Sequence, residues 1–260
     1  MNNNSPCHDA DARVRPVRTA AKVLRVLLLC ASLLPACSAA RAGQETVHFT
    51  TSDGCRIEAF WLAPSSGAYV LINTHGLGSD KNEWGSFQDA LRKRGLGYFS
   101  LDLRGHGKSL ACRGKAVDYR KFTREDWAAA SRDIEAAAAW LKKRGYPARR
   151  MIFCGASVGA NLSLKAAAEG KIKPAALILL SPGMEYAGIK AEDYLARAPK
   201  DILLGASEDD PYAWQSVVII SELAGKYHLD LSAIDGGGGH GVNMFKTPGV
   251  MDKVLDWLPR

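Results

Sequence analysis

Apolar runs alternate with amphipathic helical patterns along almost the whole chain after Glu45. Runs such as AYVLINT, AALILLS and DILLGA are predominantly apolar, which is typical of strands buried on both faces of a sheet. Helical spacing stands between such runs, as over residues 126–143, where apolar side chains recur three and four positions apart. This alternation predicts an α/β fold with a mostly parallel sheet and helices on both faces.

Eight segments have the pattern of strands. The first two flank the turn sequence TSDG, so we expect an antiparallel hairpin at the N-terminal end of the sheet. Ligands of such sheets bind beyond the carboxyl ends of the strands, so functional side chains are expected in the loops that follow strands. The predicted strands cover residues 45–50, 55–64, 68–74, 98–103, 150–155, 175–181, 201–206 and 229–234.

Residues 1–42 differ from the rest of the chain. Five basic residues precede a short apolar core that ends in small side chains, which is the order found in secretory signal peptides. The apolar core is shorter than the ~20 residues needed to cross a bilayer, which favours export over a membrane anchor. Two cleavage sites fit: LLPAC resembles a bacterial lipobox that would attach Cys37 to a membrane, and Ala40–Ala42 fits an ordinary signal-peptidase site.

The leader therefore predicts an exported protein of the bacterial periplasm or cell envelope, with one mature domain over residues 43–260. Nearly half of the net charge of +7 comes from this leader, since removing residues 1–36 takes away five basic and two acidic residues and leaves +4. A small, scattered charge of this kind argues against a nucleic-acid partner. We expect a monomer.

Three cysteines, Cys55, Cys112 and Cys154, lie beyond the leader. An odd number spread over a full-size domain is not the pattern of a disulfide framework. A Cys55–Cys112 bridge is compatible with an oxidising compartment, and Cys154, within an apolar strand, has the pattern of a small core residue. No close set of His, Cys and Asp indicates a zinc site.

The pentapeptide GASVG follows the predicted strand RMIFC and precedes a helical pattern. This is G-x-S-x-G in the strand, turn and helix setting that the motif requires, which makes Ser157 a candidate nucleophile. A serine hydroxyl is a weak nucleophile at neutral pH and needs a base that a third group orients. The segment SEDDPY follows the predicted strand DILLGA and offers Asp209 and Asp210. The segment DGGGGHG follows the last predicted strand, LDLSAI, and offers His240, so the order along the chain is serine, aspartate, histidine.

The segments NTHGLGSD, DLRGHGKS, GASVGAN, SEDDPYA and GGGGHGVNMF together resemble the α/β-hydrolase family, over roughly residues 45–258. Its esterase and lipase members are the most similar. The resemblance implies a serine hydrolase with no metal or organic cofactor, acting on a small-molecule ester. It also implies a minimal cap, since only about twenty residues separate AALILLS from DILLGA.

The resemblance also implies a role for each matching residue. Ser157 would be the nucleophile, His240 the general base and then acid, and Asp210 the carboxylate that orients His240. Asp209 is the alternative acid, and Glu185 a further one. The backbone N–H groups of Leu77 and Val158 would form the oxyanion hole. Candidate walls of the substrate pocket are Met184, Tyr186, Tyr194 and Leu195.

The remaining histidines have structural interpretations. His75 shapes the loop after its strand, and His106 belongs to a polar loop that satisfies its own hydrogen bonds. An acyltransferase or a thioesterase could use the same three residues, because these enzymes differ only in the acceptor that attacks the acyl-enzyme. A non-catalytic binding protein with this fold is the third hypothesis.

Overall fold

The computed structural model describes residues 43–258. The predicted leader, Cys37 and both predicted cleavage sites lie outside the described residues. Within residues 43–258, no helix has the length and apolar character that a membrane span requires.

Eight longer strands form the sheet of the described part of the chain, and all predicted strand segments are found. They are β1 (Glu45–Thr50), β2 (Cys55–Leu62), β3 (Val70–Thr74), β4 (Gly97–Leu101), β5 (Met151–Ala156), β6 (Ala176–Leu180), β7 (Asp201–Ala206) and β8 (Asp230–Asp235). Two-residue strands at Ala111–Cys112 and Lys115–Ala116 extend this sheet, and Glu185–Tyr186 pairs with Ile189–Lys190 in a separate ribbon.

The strand order across the sheet is β1-β2-β4-β3-β5-β6-β7-β8. The pairs of β2 with β1 and with β4 are antiparallel, which confirms the predicted hairpin, and every other pair of these eight strands is parallel. The registers bring the carboxyl ends of β5 to β8 level with one another, since Ala156 lies opposite Leu180 and Ala206 opposite Asp235. Loops after these four strands therefore meet at one edge of the sheet.

Seven α-helices lie in the described residues: α1 (Gly85–Lys93), α2 (Arg124–Ala129), α3 (Ser131–Lys143), α4 (Val158–Glu169), α5 (Glu192–Leu195), α6 (Pro211–Lys226) and α7 (Val250–Trp257). The continuous helix predicted over residues 126–143 is wrong in one respect, because the helix is interrupted at Ala130. The N-terminal piece has its own capping box between Thr123 and Asp126, which starts α2 independently of α3.

Helices cover both faces of the sheet, as the alternation predicts. One buried cluster joins the sheet to α2, α3, α4 and α6, and the other joins it to α1 and α7. Helix α4 follows β5 directly and is buried along almost all its length, so it fixes the turn at its N-terminus within the core. Between β6 and β7 lie only the ribbon of two short strands and α5. These elements form the predicted minimal cap.

A disulfide joins Cys55 to Cys112, and Cys154 is a free, buried cysteine in β5. The bridge attaches the short strand Ala111–Cys112 to the start of β2. Burial raises the pKa of the Cys154 thiol well above its usual value, so this side chain is a neutral core residue.

Candidate active site

Ser157 occupies the sharp turn between β5 and α4. Its backbone is strained, with φ of 55° and ψ of −125°, in a region that residues other than glycine rarely adopt. The Ser157 N–H donates to the carbonyl of Leu180 at 2.8 Å, which ties the turn to the neighbouring strand. This turn raises the side chain above the carboxyl end of the sheet, at the N-terminus of a buried helix.

The glycines on either side of Ser157 are required by close packing. A Cβ atom at Gly155 would overlap the backbone of Gly159, and one at Gly159 would overlap the backbone of Thr74 and His75. The turn therefore packs directly against the end of β3, and the loop that follows β3 lies next to the nucleophile candidate. Gly76 of that loop lies against Cβ of Ser157.

His240 and Asp210 are in direct contact. Nδ1 of His240 lies 2.5 Å from Oδ2 of Asp210, and 44% of the imidazole is exposed against 16% of the carboxylate. Asp210 is also the N-cap of α6, where Oδ1 accepts from the N–H of Ala213 at 3.3 Å and Pro211 opens the helix. One carboxylate oxygen thus faces the helix and the other the imidazole, so the helix start positions the Asp210–His240 pair.

Asp209 has a different partner. Both of its carboxylate oxygens accept from the N–H of Gly239 at 2.9 Å, and it makes no hydrogen bond to His240. The structure therefore separates two neighbouring aspartates that the sequence leaves as alternatives. The Glu185 side chain lies 3.7 Å from Arg124.

Side-chain oxygens hold the glycine-rich loop that carries His240. The N–H of Gly238 donates to the hydroxyl of Ser207 at 3.1 Å, and that of Gly241 donates to the hydroxyl of Ser181 at 2.9 Å. Asp235 accepts from Gly237 at 2.7 Å in the same way. Ser181 and Ser207 are not among the residues predicted from the sequence, and the signal that could have found them is that each directly follows the end of β6 or β7.

Valine at Gly239 is expected to lower kcat/KM by at least about tenfold while lowering Tm by only a few degrees. Gly239 has φ of 87°, and a Cβ atom there would press against Asn243, so a β-branched residue would displace the loop and with it His240. Hydrolysis of an ester, which is the activity that the sequence predicts, and thermal unfolding, measured on the same preparation, test this. Gly225→Ala in α6, where a Cβ atom meets nothing within 4 Å, is the matched control. A large loss of Tm with normal turnover would show that the loop acts in folding instead.

The loop after β3 lies beside Ser157. His75 is fully buried, with Nδ1 donating to the carbonyl of Gly76 at 2.8 Å and Nε2 accepting from Leu103 N–H at 3.0 Å. Burial lowers the pKa of His75 to about 3, so it is a neutral structural residue and unsuited to act as a base. Leu77 follows Gly76, and its N–H and that of Val158, in the first turn of α4, are the predicted oxyanion donors.

A cavity of about 450 Å³ joins these elements. Ser157 and His240 both line it, together with Leu77 of the loop after β3. Glu83 also lines it, and its carboxylate accepts from the N–H of Gly76 at 3.0 Å. Burial raises the pKa of Glu83. Glu83 could not be predicted as a residue of the site from the sequence, because it lies in a helical pattern eight residues after His75.

The four predicted pocket residues of the cap occupy different places. Tyr186 lies near the site, with its ring centroid 6.5 Å from that of His240, and burial raises the pKa of its phenol to about 12. Met184 packs against the core, and Nζ of Lys165 in α4 lies over the ring of Tyr194, 4.9 Å from its centroid. Leu195 is fully buried. Of this set, Tyr186 alone is in ring contact with a candidate catalytic residue.

The strand order, the strained serine turn after β5 and the Asp210–His240 pair define an α/β-hydrolase fold. A sequence profile described as "Serine aminopeptidase, S33" matches residues 65–205, slightly more than half of the chain. The chain therefore belongs to this family of α/β-hydrolases.

Comparison with individual proteins agrees with this assignment. Monoglyceride lipase of Rattus norvegicus is 26% identical over 143 residues, which cover 54% of this chain but only 43% of the rat protein. An esterase of Pyrococcus furiosus has a similar structure, with a TM-score of 0.66 at 20% identity over 83% of this chain and 90% of that one. Est1E of Butyrivibrio proteoclasticus, solved with ferulic acid, has a TM-score of 0.62 at 19% identity over 82% of this chain and all of that one. The structural likenesses show the fold.

Proposed function

We propose that this protein hydrolyses carboxylic esters through an acyl-enzyme formed on Ser157. The observation that carries the proposal is the cavity that Ser157 and His240 share, with Asp210 bound to the far side of the imidazole. A nucleophile, a base and a group that orients the base are the three parts that acyl transfer needs.

In the first half-reaction, Oγ of Ser157 attacks the carbonyl carbon of the ester and its proton passes to Nε2 of His240. The carbonyl oxygen becomes an oxyanion, which the N–H groups of Leu77 and Val158 stabilise by hydrogen bonds. The bond from the carbonyl carbon to the alcohol oxygen then breaks, and His240 gives its proton to the departing alcohol.

In the second half-reaction, water attacks the acyl-enzyme and gives its proton to His240. The tetrahedral intermediate collapses, releases the carboxylic acid and returns the proton from His240 to Ser157. Asp210 holds the imidazole with Nδ1–H directed at its carboxylate and stabilises the imidazolium in both halves.

An ester substrate is supported by the relatives, which include a lipase and an esterase by name. Acyl transfer to an alcohol, and thioester hydrolysis, would use the same residues. Product analysis with a competing alcohol separates the first of these, since a transferase forms a new ester where a hydrolase forms the free acid.

A fluorophosphonate probe tests the proposal directly. The probe reacts with serines that a neighbouring base activates, so we expect one adduct, located by peptide mass spectrometry on Ser157. Prior incubation with an ester substrate should slow the labelling. No adduct would instead indicate a binding protein that has this fold without the chemistry, and an adduct on another serine would contradict the assignment of Ser157 as the nucleophile.

We also propose that the protein is exported. The Cys55–Cys112 bridge supports this, because disulfides persist mainly in oxidising compartments. Mass spectrometry of the N-terminus of the exported protein distinguishes a lipidated Cys37 from cleavage after Ala42.

A further inference from the structure

The proposed mechanism needs the N–H of Leu77 to point at the carbonyl oxygen of the ester, and the Leu77 side chain is too exposed to hold it there. Leu77 is 62% exposed, and Gly78 beside it is also exposed. Packing of side chains therefore does not fix this stretch of the loop after β3. The direction of the Leu77 N–H must be set by hydrogen bonds to the backbone around it.

The carbonyl oxygen of Gly76 is held by two hydrogen bonds. It accepts from Nδ1 of His75 at 2.8 Å and from the N–H of Ser79 at 3.2 Å. The peptide group between Gly76 and Leu77 is planar, so in its trans form the N–H of Leu77 points opposite to this carbonyl. These two bonds thus set the direction of the donor. Its distance from Ser157 depends on where the rest of Gly76 lies.

The nitrogen of Gly76 is held by Glu83. The Gly76 N–H donates to Oε1 of Glu83 at 3.0 Å, and Gly76 is buried. A Cβ atom at Gly76 would lie 3.4 Å from Cβ of Ser157, so this backbone runs directly beside the nucleophile candidate. A buried N–H that loses its acceptor is costly, so without the Glu83 carboxylate the loop would shift until this N–H found another partner.

Glu83 stands on a rigid support. It belongs to the short 3₁₀ helix Lys81–Trp84, whose first and last side chains are both buried. Nζ of Lys81 lies 2.7 Å from a carboxylate oxygen of Asp102, which has no exposed surface, and Trp84 is fully buried as well. Between these anchors the Glu83 side chain is partly exposed and lines the candidate active-site cavity of about 450 Å³. The fold therefore fixes this carboxylate at the edge of the site.

We propose that Glu83 is a positioning residue for the oxyanion hole, whose side-chain oxygen holds Gly76 so that the N–H of Leu77 meets the oxyanion formed at Ser157. The inference rests on the proposed ester hydrolysis. The oxyanion exists only once Oγ has attacked, so a displaced donor weakens the transition state more than the bound substrate. Loss of the acceptor at Glu83 should therefore lower kcat and leave KM nearly unchanged.

Substitutions at Glu83 separate its acceptor from its charge. Glu83→Gln keeps an oxygen at the same reach without the charge, so kcat should fall by less than about threefold. Glu83→Asp keeps the charge but draws the oxygen back by one methylene, and Glu83→Leu removes the acceptor. Each of these two should lower kcat by about tenfold or more. The measurement is kcat and KM for 4-nitrophenyl acetate, per active site counted by fluorophosphonate labelling.

A trifluoromethyl ketone gives a readout that belongs to the oxyanion. Oγ of Ser157 adds to the carbonyl carbon of the ketone, the Oγ proton passes to His240, and the carbonyl oxygen becomes the oxyanion. Glu83→Asp and Glu83→Leu should weaken the binding of this inhibitor by the same factor by which they lower kcat/KM. Glu222→Leu, the same change at an exposed position of α6, is the matched control and should leave kcat, KM and inhibitor binding unchanged.

The order of the variants decides the proposal. A kcat for Glu83→Asp at or above that of Glu83→Gln would overturn it, because the charge and not the reach of the acceptor would then matter. This comparison holds even if Glu83→Leu does not fold. A folded Glu83→Leu with kcat within about threefold of the wild type would also overturn it, as would a rise in KM with kcat unchanged.

The two proposals fail in different ways. If the wild type hydrolyses no ester and takes no fluorophosphonate label, the proposed function is wrong. If the wild type is labelled on Ser157 and hydrolyses 4-nitrophenyl acetate while the Glu83 variants break the expected order, the function stands and the positioning role of Glu83 is wrong.

Discussion

Alanine at Ser157 or at His240 is expected to lower kcat/KM for 4-nitrophenyl acetate by about 10⁵-fold to 10⁶-fold, and the double variant should be no worse than either single one. The reason is that the nucleophile and its base act as a unit. Without His240 the Ser157 hydroxyl keeps its proton, and without Ser157 the base has no attacking group to activate. The measurement is the hydrolysis rate of the wild type, both single variants and the double variant.

The free energy of unfolding should change little in these variants, so a lower hydrolysis rate reports lost catalysis rather than unfolding. The His240 side chain is 44% exposed, so its truncation leaves no cavity in the core. The Ser157 turn is held by backbone hydrogen bonds to Leu180 and from Ala160, which alanine retains. A single variant that keeps more than about 1% of the wild-type rate, or strictly additive losses in the double variant, would contradict the proposed unit.

The strands and most helices could be predicted because their signals are local. A run such as AALILLS is typical of a strand that lies between others, and β6 covers five of its seven residues. Ser157 could be found for the same reason, since its motif places strand, turn and helix within one short segment. The break at Ala130 could not be found from apolar spacing, because the apolar positions continue through it while a capping box starts α2.

The surroundings of the candidate site were harder to predict, because they depend on which loops meet in space. Ser181 and Ser207 come from the ends of different strands and act on a loop that follows a third, and no local pattern marks that convergence. Glu83 reaches the site through the N–H of Gly76, which sequence spacing does not reveal. The same is true of a cavity of about 840 Å³ whose walls come from the loop after β3, the loop after β4 and the segment around Tyr119.

Asparagine at Asp210 is expected to lower kcat by about 10³-fold to 10⁴-fold, whereas asparagine at Asp209 should lower it by less than about tenfold. The Asp210 carboxylate accepts from Nδ1 of His240, so it holds the proton on Nδ1 and leaves Nε2 free to act as the base. An amide that turns its NH₂ group to Nδ1 would favour the other tautomer, with the proton on Nε2, and would not stabilise an imidazolium.

Asp209 should tolerate the same change because its role is different. It accepts from the N–H of Gly239, and an asparagine can offer its amide oxygen to the same donor. Folding should survive in both variants, since asparagine is as good an N-cap as aspartate at the start of α6. The test is kcat for one ester at one pH, with Tm measured alongside. If Asp209→Asn lowered kcat more than Asp210→Asn, the hydrogen bond from Gly239 to Asp209 would matter more for catalysis than the contact of Asp210 with His240. Asp210 would then be only the N-cap of α6.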